Sequence, residues 1–284
     1  MLAYRHAFHA GNHADVLKHV VLLLVLRYLA SKDKPFTLVD THAGAGGYSL
    51  EGRYANRLAE YAQGVGRLWV RTDLPPVLAD YVARVREFNG GGALRQYPGS
   101  PAFAQMLLRP TDRLRLYELH PTDHRILAAY LGSRPHTQVL QADGFAALKA
   151  ELPPPSRRGA VLIDPSYELK ADYPRVVAAL REALTRFAEG TVVVWYPQLL
   201  TLESNRLPQR LQSAADALAR KGWLHARLTV QEPDERGFGL VGSGVFVANP
   251  PFVLHESLRG LLPFLVDAIG QYAGAHFLLE QRAG

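Results

Sequence analysis

Leu38-Val39-Asp40-Thr41-His42-Ala43-Gly44-Ala45-Gly46-Gly47 is a hydrophobic run that ends in an acid and breaks at once into glycines. The apolar part reads as a buried strand, and the glycines let backbone approach a ligand closely at the strand's carboxyl end. Open α/β sheets bind their ligands at that edge. The stretch departs from the dinucleotide fingerprint, because no phosphate-binding helix follows directly. Taken alone, the turn is equally a loop that needs positive φ.

Outward from this stretch the chain alternates. Strand-like runs stand at 36–40, 114–118, 137–141, 160–164 and 191–196, with helical patterns at 121–131, 145–152, 173–188 and 206–221. That rhythm predicts a parallel sheet with helices on both faces. Runs at 224–230 and 244–249 are joined by a polar loop containing Asp234, Arg236 and Gly237, which predicts an antiparallel pair at one edge. Residues 51–97 break the rhythm with two apolar stripes, one on Leu58, Tyr61, Val65, Leu68 and Trp69 and one on Leu78, Tyr81, Val82, Val85 and Phe88. The expected organisation is a core of 1–50 and 98–284 with a helical insertion subdomain over 51–97.

Composition narrows the function classes. Of 284 residues, 48% are hydrophobic and 20% charged, which fits a folded soluble domain rather than a disordered chain. The longest aliphatic run, residues 20–26, stops at Arg27, far short of the ~20 apolar residues a membrane span needs. Arg5, His6, His13, Asp15, Lys18 and His19 break up the N-terminal stretch and argue against a secretory leader. No cysteine is present, which removes disulfides, thiolate nucleophiles and Cys-based metal sites and fits a reducing cytoplasm. A net charge of +6 favours a polyanionic partner mildly.

Carboxylates stand at or just beyond four successive strand ends: Asp40, Glu118, Asp143 and Asp164. Glu118 is placed to accept hydrogen bonds from both hydroxyls of a ribose. Asp143, followed by Gly144, can accept from an adenine amino group. Either of the last two acids alone reads as an ordinary helix cap or turn. Four together point to a site.

Asp164-Pro165-Ser166-Tyr167, after Ala160-Val161-Leu162-Ile163, resembles the Asp/Asn-Pro-Pro-aromatic motif of N6-adenine and related amino-methyltransferases. The chemistry explains the residue types. An exocyclic amine shares its lone pair with the ring and is a poor nucleophile. Acceptors on the Asp164 side chain and the Pro165 carbonyl would hold its N–H groups, while Tyr167 stacks on the unpaired base. Ser166 replaces the second proline and loosens the loop. Asn249-Pro250-Pro251-Phe252 matches the motif's letters better, but it follows the last strand of the antiparallel pair and reads as a structural turn.

The segment Tyr4-Arg5-His6-Ala7-Phe8-His9-Ala10-Gly11-Asn12-His13-Ala14-Asp15-Val16-Leu17-Lys18-His19 is rich in histidine and aromatics. His9 and His13 would make metal ligands only if helical, yet Gly11-Asn12 places the helix start at 12 or 13. A charged aromatic arm suits RNA instead, with Tyr4 or Phe8 against a base and basic groups on phosphate. Lys18 and His19, on the helix face, would reach a ligand at the sheet edge. Arg5, Arg53, Arg57, Arg67 and Arg71 are further candidates for phosphate contact.

These stretches, with Tyr97-Pro98-Gly99-Ser100-Pro101, Glu118-Leu119-His120-Pro121 and Ala142-Asp143-Gly144, resemble the RlmJ family over nearly the whole chain. Members are bacterial methyltransferases that use S-adenosylmethionine to methylate N6 of an adenine in large-subunit (23S) ribosomal RNA. The resemblance implies a class I S-adenosylmethionine-dependent methyltransferase fold, a Rossmann-like sheet of seven mostly parallel strands with a helical insertion. It maps the cofactor pocket to His19, His42, Ser100, Glu118, Asp143 with Gly144, and Asp164, the catalytic aspartate to Asp164, and substrate handling to Tyr4. The residues themselves add Gly44 and Gly46 to the cofactor set, Pro165 and Tyr167 to the catalytic set, and Lys18 and Tyr167 to the substrate set. No metal, no membrane contact, a monomer and a cytoplasmic location are expected. The alternatives are an amino-methyltransferase acting on DNA or another acceptor, and a non-catalytic RNA-binding relative; a metal-dependent hydrolase is remote.

Overall fold

The computed structural model describes residues 6–51, 59–235 and 239–284. Its main sheet has eight strands in the order β5-β4-β1-β6-β7-β9-β8-β10. They are β1 (Thr37–Asp40), β4 (Arg113–Tyr117), β5 (Thr137–Leu140), β6 (Gly159–Ile163), β7 (Thr191–Gln198), β8 (Trp223–Thr229), β9 (Gly242–Ala248) and β10 (His276–Arg282). A separate antiparallel ribbon joins β2 (Gly47–Ser49) to β3 (Gln96–Pro98). Pairing from β5 through β7 is parallel, as the alternation predicts. The expected mostly parallel α/β sheet is therefore present.

Two details differ from expectation. The pair β8–β9 is antiparallel, but β9 lies inside the sheet against β7, and the edge belongs to β10. That makes eight strands instead of seven. β10 is not legible in the sequence because Phe277-Leu278-Leu279 sits among charged residues and stays half exposed, without the clean alternation of an inward face.

The chain leaves β1 toward β4 and β5, then returns to β6 on β1's other side. This reversal opens a crevice at the carboxyl end of β1. Helices cover both faces. On one face pack α1 (His13–Ala30), α2 (Val65–Trp69), α3 (Pro76–Phe88), α4 (Ser100–Leu107), α5 (Pro121–Leu131) and the later helix Leu254–Ile269. On the other lie α6 (Gly144–Glu151), α7 (Asp172–Arg186) and α8 (Leu202–Leu218). The helix Leu254–Ile269 is α9.

α1 decides the layering. Asn12 caps it, its side chain accepting from the backbone of Ala14 and Asp15 at 3.0 Å each. Its aliphatic residues point in every direction, and Leu17, Val20, Val21, Leu22, Val25 and Leu26 are all fully buried. A helix apolar all round needs cover on every side. The sheet covers one side; Leu78, Tyr81, Val82 and Val85 of α3 and the apolar face of α9 cover the others. The segment after β2 thus serves the fold by roofing α1.

Within that segment the first expected stripe is not one helix. Gly64 interrupts it, leaving a 3-10 turn (Glu60–Gln63) before α2. The cause is a close approach: Val65 N–H donates to the Gly11 carbonyl at 2.9 Å. A Cβ on Gly64 would stand 2.2 Å from that same oxygen. Leu58 lies outside the described residues.

Leu22→Ala, at the centre of α1, should cost about 2–5 kcal/mol of unfolding free energy. Urea denaturation measures it, and a loss below about 1 kcal/mol would mean α1 is not the packed element described.

Candidate active site

The carboxyl ends of β5, β4, β1 and β6 and the first turns of α1 and α4 border one cleft. Of the residues read from the sequence, Lys18, His19, His42, Gly44, Ser100, Glu118, Asp143, Gly144, Asp164 and Pro165 line it. Gly46 does not; its backbone, at φ +82°, packs against Leu127 and Tyr130. Tyr4 lies outside the described residues, as do Arg5, Arg53 and Arg57.

At the end nearest β6, Asp164 Oδ2 receives Lys18 Nζ at 2.7 Å. Lys18 also reaches Asp15 Oδ1 at 2.8 Å, and Asp15 Oδ2 takes His6 Nε2 and the Gly11 N–H at 2.9 Å each. Burial would strip the charge from Lys18, but Asp15 and Asp164 on either side hold its ammonium above the ordinary value. Asp15 is pushed up by burial, yet His6 and Lys18 bring it well below the usual carboxylate range. For Asp164 burial wins over Lys18, and its carboxyl is raised. The result is a basic carboxylate with one oxygen tied down.

Glu118 stands at the end of β4. Gly44 N–H donates to its Oε2 at 2.8 Å and His120 N–H to its Oε1 at 2.6 Å. Burial raises it, and those two donors oppose the rise. Gly44, at φ +62°, allows the approach; a Cβ there would meet the Tyr48 hydroxyl at 2.2 Å. The loop glycine therefore brings the donor to the acid.

Asp143 is both helix cap and cleft wall. Its Oδ1 accepts from Phe145 N at 2.9 Å, while Oδ2 pairs with Arg175 at 2.5 Å. Arg175 lies over the Phe145 ring at 4.6 Å, and His42 meets the same ring edge-on at 4.6 Å. Burial takes His42 down to about 4, so it is neutral at physiological pH.

Two expectations need correcting. Asp40, counted among the strand-end acids, is fully buried and does not border the cleft. It accepts from Ser100 Oγ at 2.6 Å and from His42 N–H at 3.2 Å. Tyr167, expected to stack on a base, turns inward at φ +55° and is buried beside Tyr173 and Trp195. Its hydroxyl donates to the Trp195 carbonyl at 2.6 Å, and that bond turns the ring into the core.

Trp195 lines the cleft, as does Tyr48, and Lys18 Nζ lies 5.6 Å from the Trp195 ring. In sequence it is hidden within a valine-rich strand; a lone indole near the carboxyl end of β7 is the available signal. Arg67 and Arg71 have partners within the chain. Arg67 donates to the Gly270 carbonyl at 2.7 Å, and Arg71 pairs with Asp73 and Asp267.

Asn249-Pro250-Pro251-Phe252 lies at the opposite edge of the sheet, after an antiparallel strand. Asn249 Nδ2 donates to the Ala188 and Gly190 carbonyls, and its Oδ1 accepts from Lys221 N–H. It is a structural turn, as read. His9 pairs with Glu60 at 3.0 Å instead of joining His13, and among the described residues no group of three potential metal ligands forms.

Asp40 makes a testable pH device. Burial pushes its carboxyl up to about 7, against the hydrogen bond from Ser100. The folded state therefore binds the proton more tightly than the unfolded chain does. This contribution is complete below pH ~4 and is lost as pH rises through ~7. Relative to wild type, Asp40→Asn should gain up to about 4 kcal/mol between those limits, read by urea denaturation at each pH. A pH-independent difference would refute the assignment.

The family model described as "Ribosomal RNA large subunit methyltransferase D, RlmJ" matches residues 33–279. A protein of Escherichia coli K12 named Ribosomal RNA large subunit methyltransferase J is 47% identical over 265 residues, 93% of each chain. A Haemophilus influenzae protein of the same name is 45% identical over 270 residues, covering 95% of this chain and 94% of that one. A crystal structure of a Legionella pneumophila protein, 33% identical, superposes with a TM-score of 0.86 over 96% of this chain and 98% of its own.

Proposed function

We propose, from the premise that the chain belongs to the ribosomal RNA large subunit methyltransferase RlmJ family, that it methylates N6 of an adenine in that RNA with S-adenosylmethionine. The observation that carries the reading is Asp164. It closes β6, borders the cleft, and has one oxygen fixed by Lys18 while Pro165 follows it into the same wall.

The cleft suits the cofactor. Among the described residues, His19 Nε2, His120 Nδ1 and Trp195 Nε1 are buried without a hydrogen-bond partner, and all three side chains line it. A bound S-adenosylmethionine supplies an electrophilic methyl group on a sulfonium. Glu118, its carboxylate oriented by two backbone donors, would hold the ribose hydroxyls. His42, Phe145 and the Asp143-Gly144 turn would enclose the adenine end, leaving His19 and Ser100 for the amino-acid end.

The chain's own contribution to the chemistry is positioning. The target amine would donate one N–H to the free oxygen of Asp164 and another to the Pro165 carbonyl. Both bonds draw the nitrogen lone pair out of conjugation and aim it at the methyl group. Lys18 opposes the effect of burial and favours the ionised, accepting form of Asp164. Trp195, not Tyr167, offers an aromatic surface beside the reacting carboxylate, and Tyr167 buttresses that wall through its bond to the Trp195 carbonyl. Ser166 Oγ stands 3.5 Å from Glu168 N, and Asp164 and Pro165 both border the cleft.

The test is transfer of labelled methyl from S-adenosylmethionine to unmodified large-subunit ribosomal RNA, beside DNA of matching sequence. N6-methyladenine should form in RNA alone, and Asp164→Ala should lower the rate roughly 10²–10⁴-fold while still binding cofactor. Label on DNA, or at another atom, would overturn the substrate assignment. Glu118→Ala should weaken S-adenosylmethionine binding by roughly tenfold or more in calorimetry; an unchanged Kd would remove Glu118 from ribose recognition.

A further inference from the structure

His19 is 1% exposed, and its two ring nitrogens meet different surroundings. Nδ1 lies 2.7 Å from the Tyr97 hydroxyl, which lies 2.9 Å from the hydroxyl of Tyr81. Nε2 has no partner, on a residue that lines the cleft. Both tyrosines are fully buried, and both belong to the roof over α1, Tyr81 on α3 and Tyr97 on β3. Phe103 stacks on Tyr81 at 5.6 Å and packs against His19 at 4.8 Å, so apolar rings fill the surrounding space.

Counting protons along this chain selects one direction. If Tyr81 donates to Tyr97 and Tyr97 donates to Nδ1, both hydroxyl protons are bonded and the imidazole carries its own proton on Nε2. If instead Nδ1–H donates to Tyr97, either Tyr97 or Tyr81 is left with a hydroxyl proton that has no acceptor among the described residues. A buried donor without an acceptor is strongly disfavoured. Burial and the neighbouring Lys18 charge also keep the ring neutral, so only one nitrogen is protonated.

We infer that Tyr81 and Tyr97 are positioning residues that fix His19 as the Nε2–H tautomer and so present a neutral hydrogen-bond donor to the carboxylate at the amino-acid end of the cofactor. The choice of ligand group rests on the cofactor reading above. Asp143 and Glu118 occupy the far side of the cleft, and Lys18 is already held by Asp15 and Asp164. His19 Nε2 therefore adds a neutral donor to the cleft next to the charge of Lys18.

The experiment has two readouts. In the free protein, nitrogen-15 NMR of the histidine rings identifies the tautomer of His19, its signal assigned by its loss in His19→Gln. Wild type should be protonated on Nε2, and Tyr97→Phe should move the Nδ1 resonance toward that of an acceptor nitrogen with no hydrogen bond. Calorimetry should show S-adenosylmethionine binding weakened roughly tenfold in Tyr97→Phe and less in Tyr81→Phe, as for one hydrogen bond to a charged group. Decarboxylated S-adenosylmethionine lacks the acceptor and should bind wild type and both variants alike. Tyr81→Phe, which removes an oxygen that does not touch the histidine, serves if Tyr97→Phe fails to fold.

An Nδ1–H tautomer in wild type, or an Nδ1 resonance left unmoved by both variants, overturns the inference. So does equal weakening of both ligands by Tyr97→Phe, which marks a merely structural loss. If the tautomer is as stated but S-adenosylmethionine does not bind, the cofactor reading fails and the hydrogen-bond relay stands.

Discussion

A buried ammonium group organises this site. Lys18 sits on the first turns of α1 with Asp15 on one side and Asp164 on the other. Removing one partner from a buried ion pair typically costs about 3–5 kcal/mol, because the remaining charge is stranded. The bridge therefore ties α1 to the carboxyl end of β6 and fixes which oxygen of Asp164 is available to a substrate. His6 joins through Asp15, so the N-terminal turn is part of the same charge network.

For that bridge to form, α1 must lie across the sheet edge with its first turns at the cleft. A helix carrying Val20–Leu26 on all its faces settles there only if its outer side is closed. The segment between β2 and β3 closes it, and Arg27 pairs with Asp80 of α3 at 2.5 Å. What looks in sequence like an interruption of the β–α rhythm is thus a condition for placing Lys18 and His19. The same roof supplies the tyrosines behind His19. Layering and chemistry are coupled through one helix.

Much of this is legible in the sequence alone. Acids at successive strand ends depend only on strand length and on where an open sheet binds ligands, so Glu118, Asp143 and Asp164 can be placed by position. Distance from the sheet's working edge likewise separates Asn249 from Asp164, although the letters favour Asn249. Depth is not legible. Nothing in Leu38-Val39-Asp40 says that Asp40 turns inward to Ser100 while Glu118 faces the cleft. Nor does Asp-Pro-Ser-Tyr reveal that the Tyr167 hydroxyl finds a carbonyl on β7. Those outcomes depend on partners distant in sequence: Ser100 is 60 residues from Asp40, and Trp195 is 28 from Tyr167. The edge strand β10 escapes for the opposite reason, since its pairing with β8 needs little side-chain patterning.

The sandwiching of α1 also bears on synthesis. The helix is near the start of the chain, but its cover comes late: β9 ends at Ala248 and α9 spans Leu254–Ile269. While the chain is being made, the aliphatic run of α1 is without that cover until residues 242–269 have emerged. Such a segment is a natural target for holding chaperones and a liability for premature association. The arrangement that assembles the active site most tightly is therefore the one that completes last.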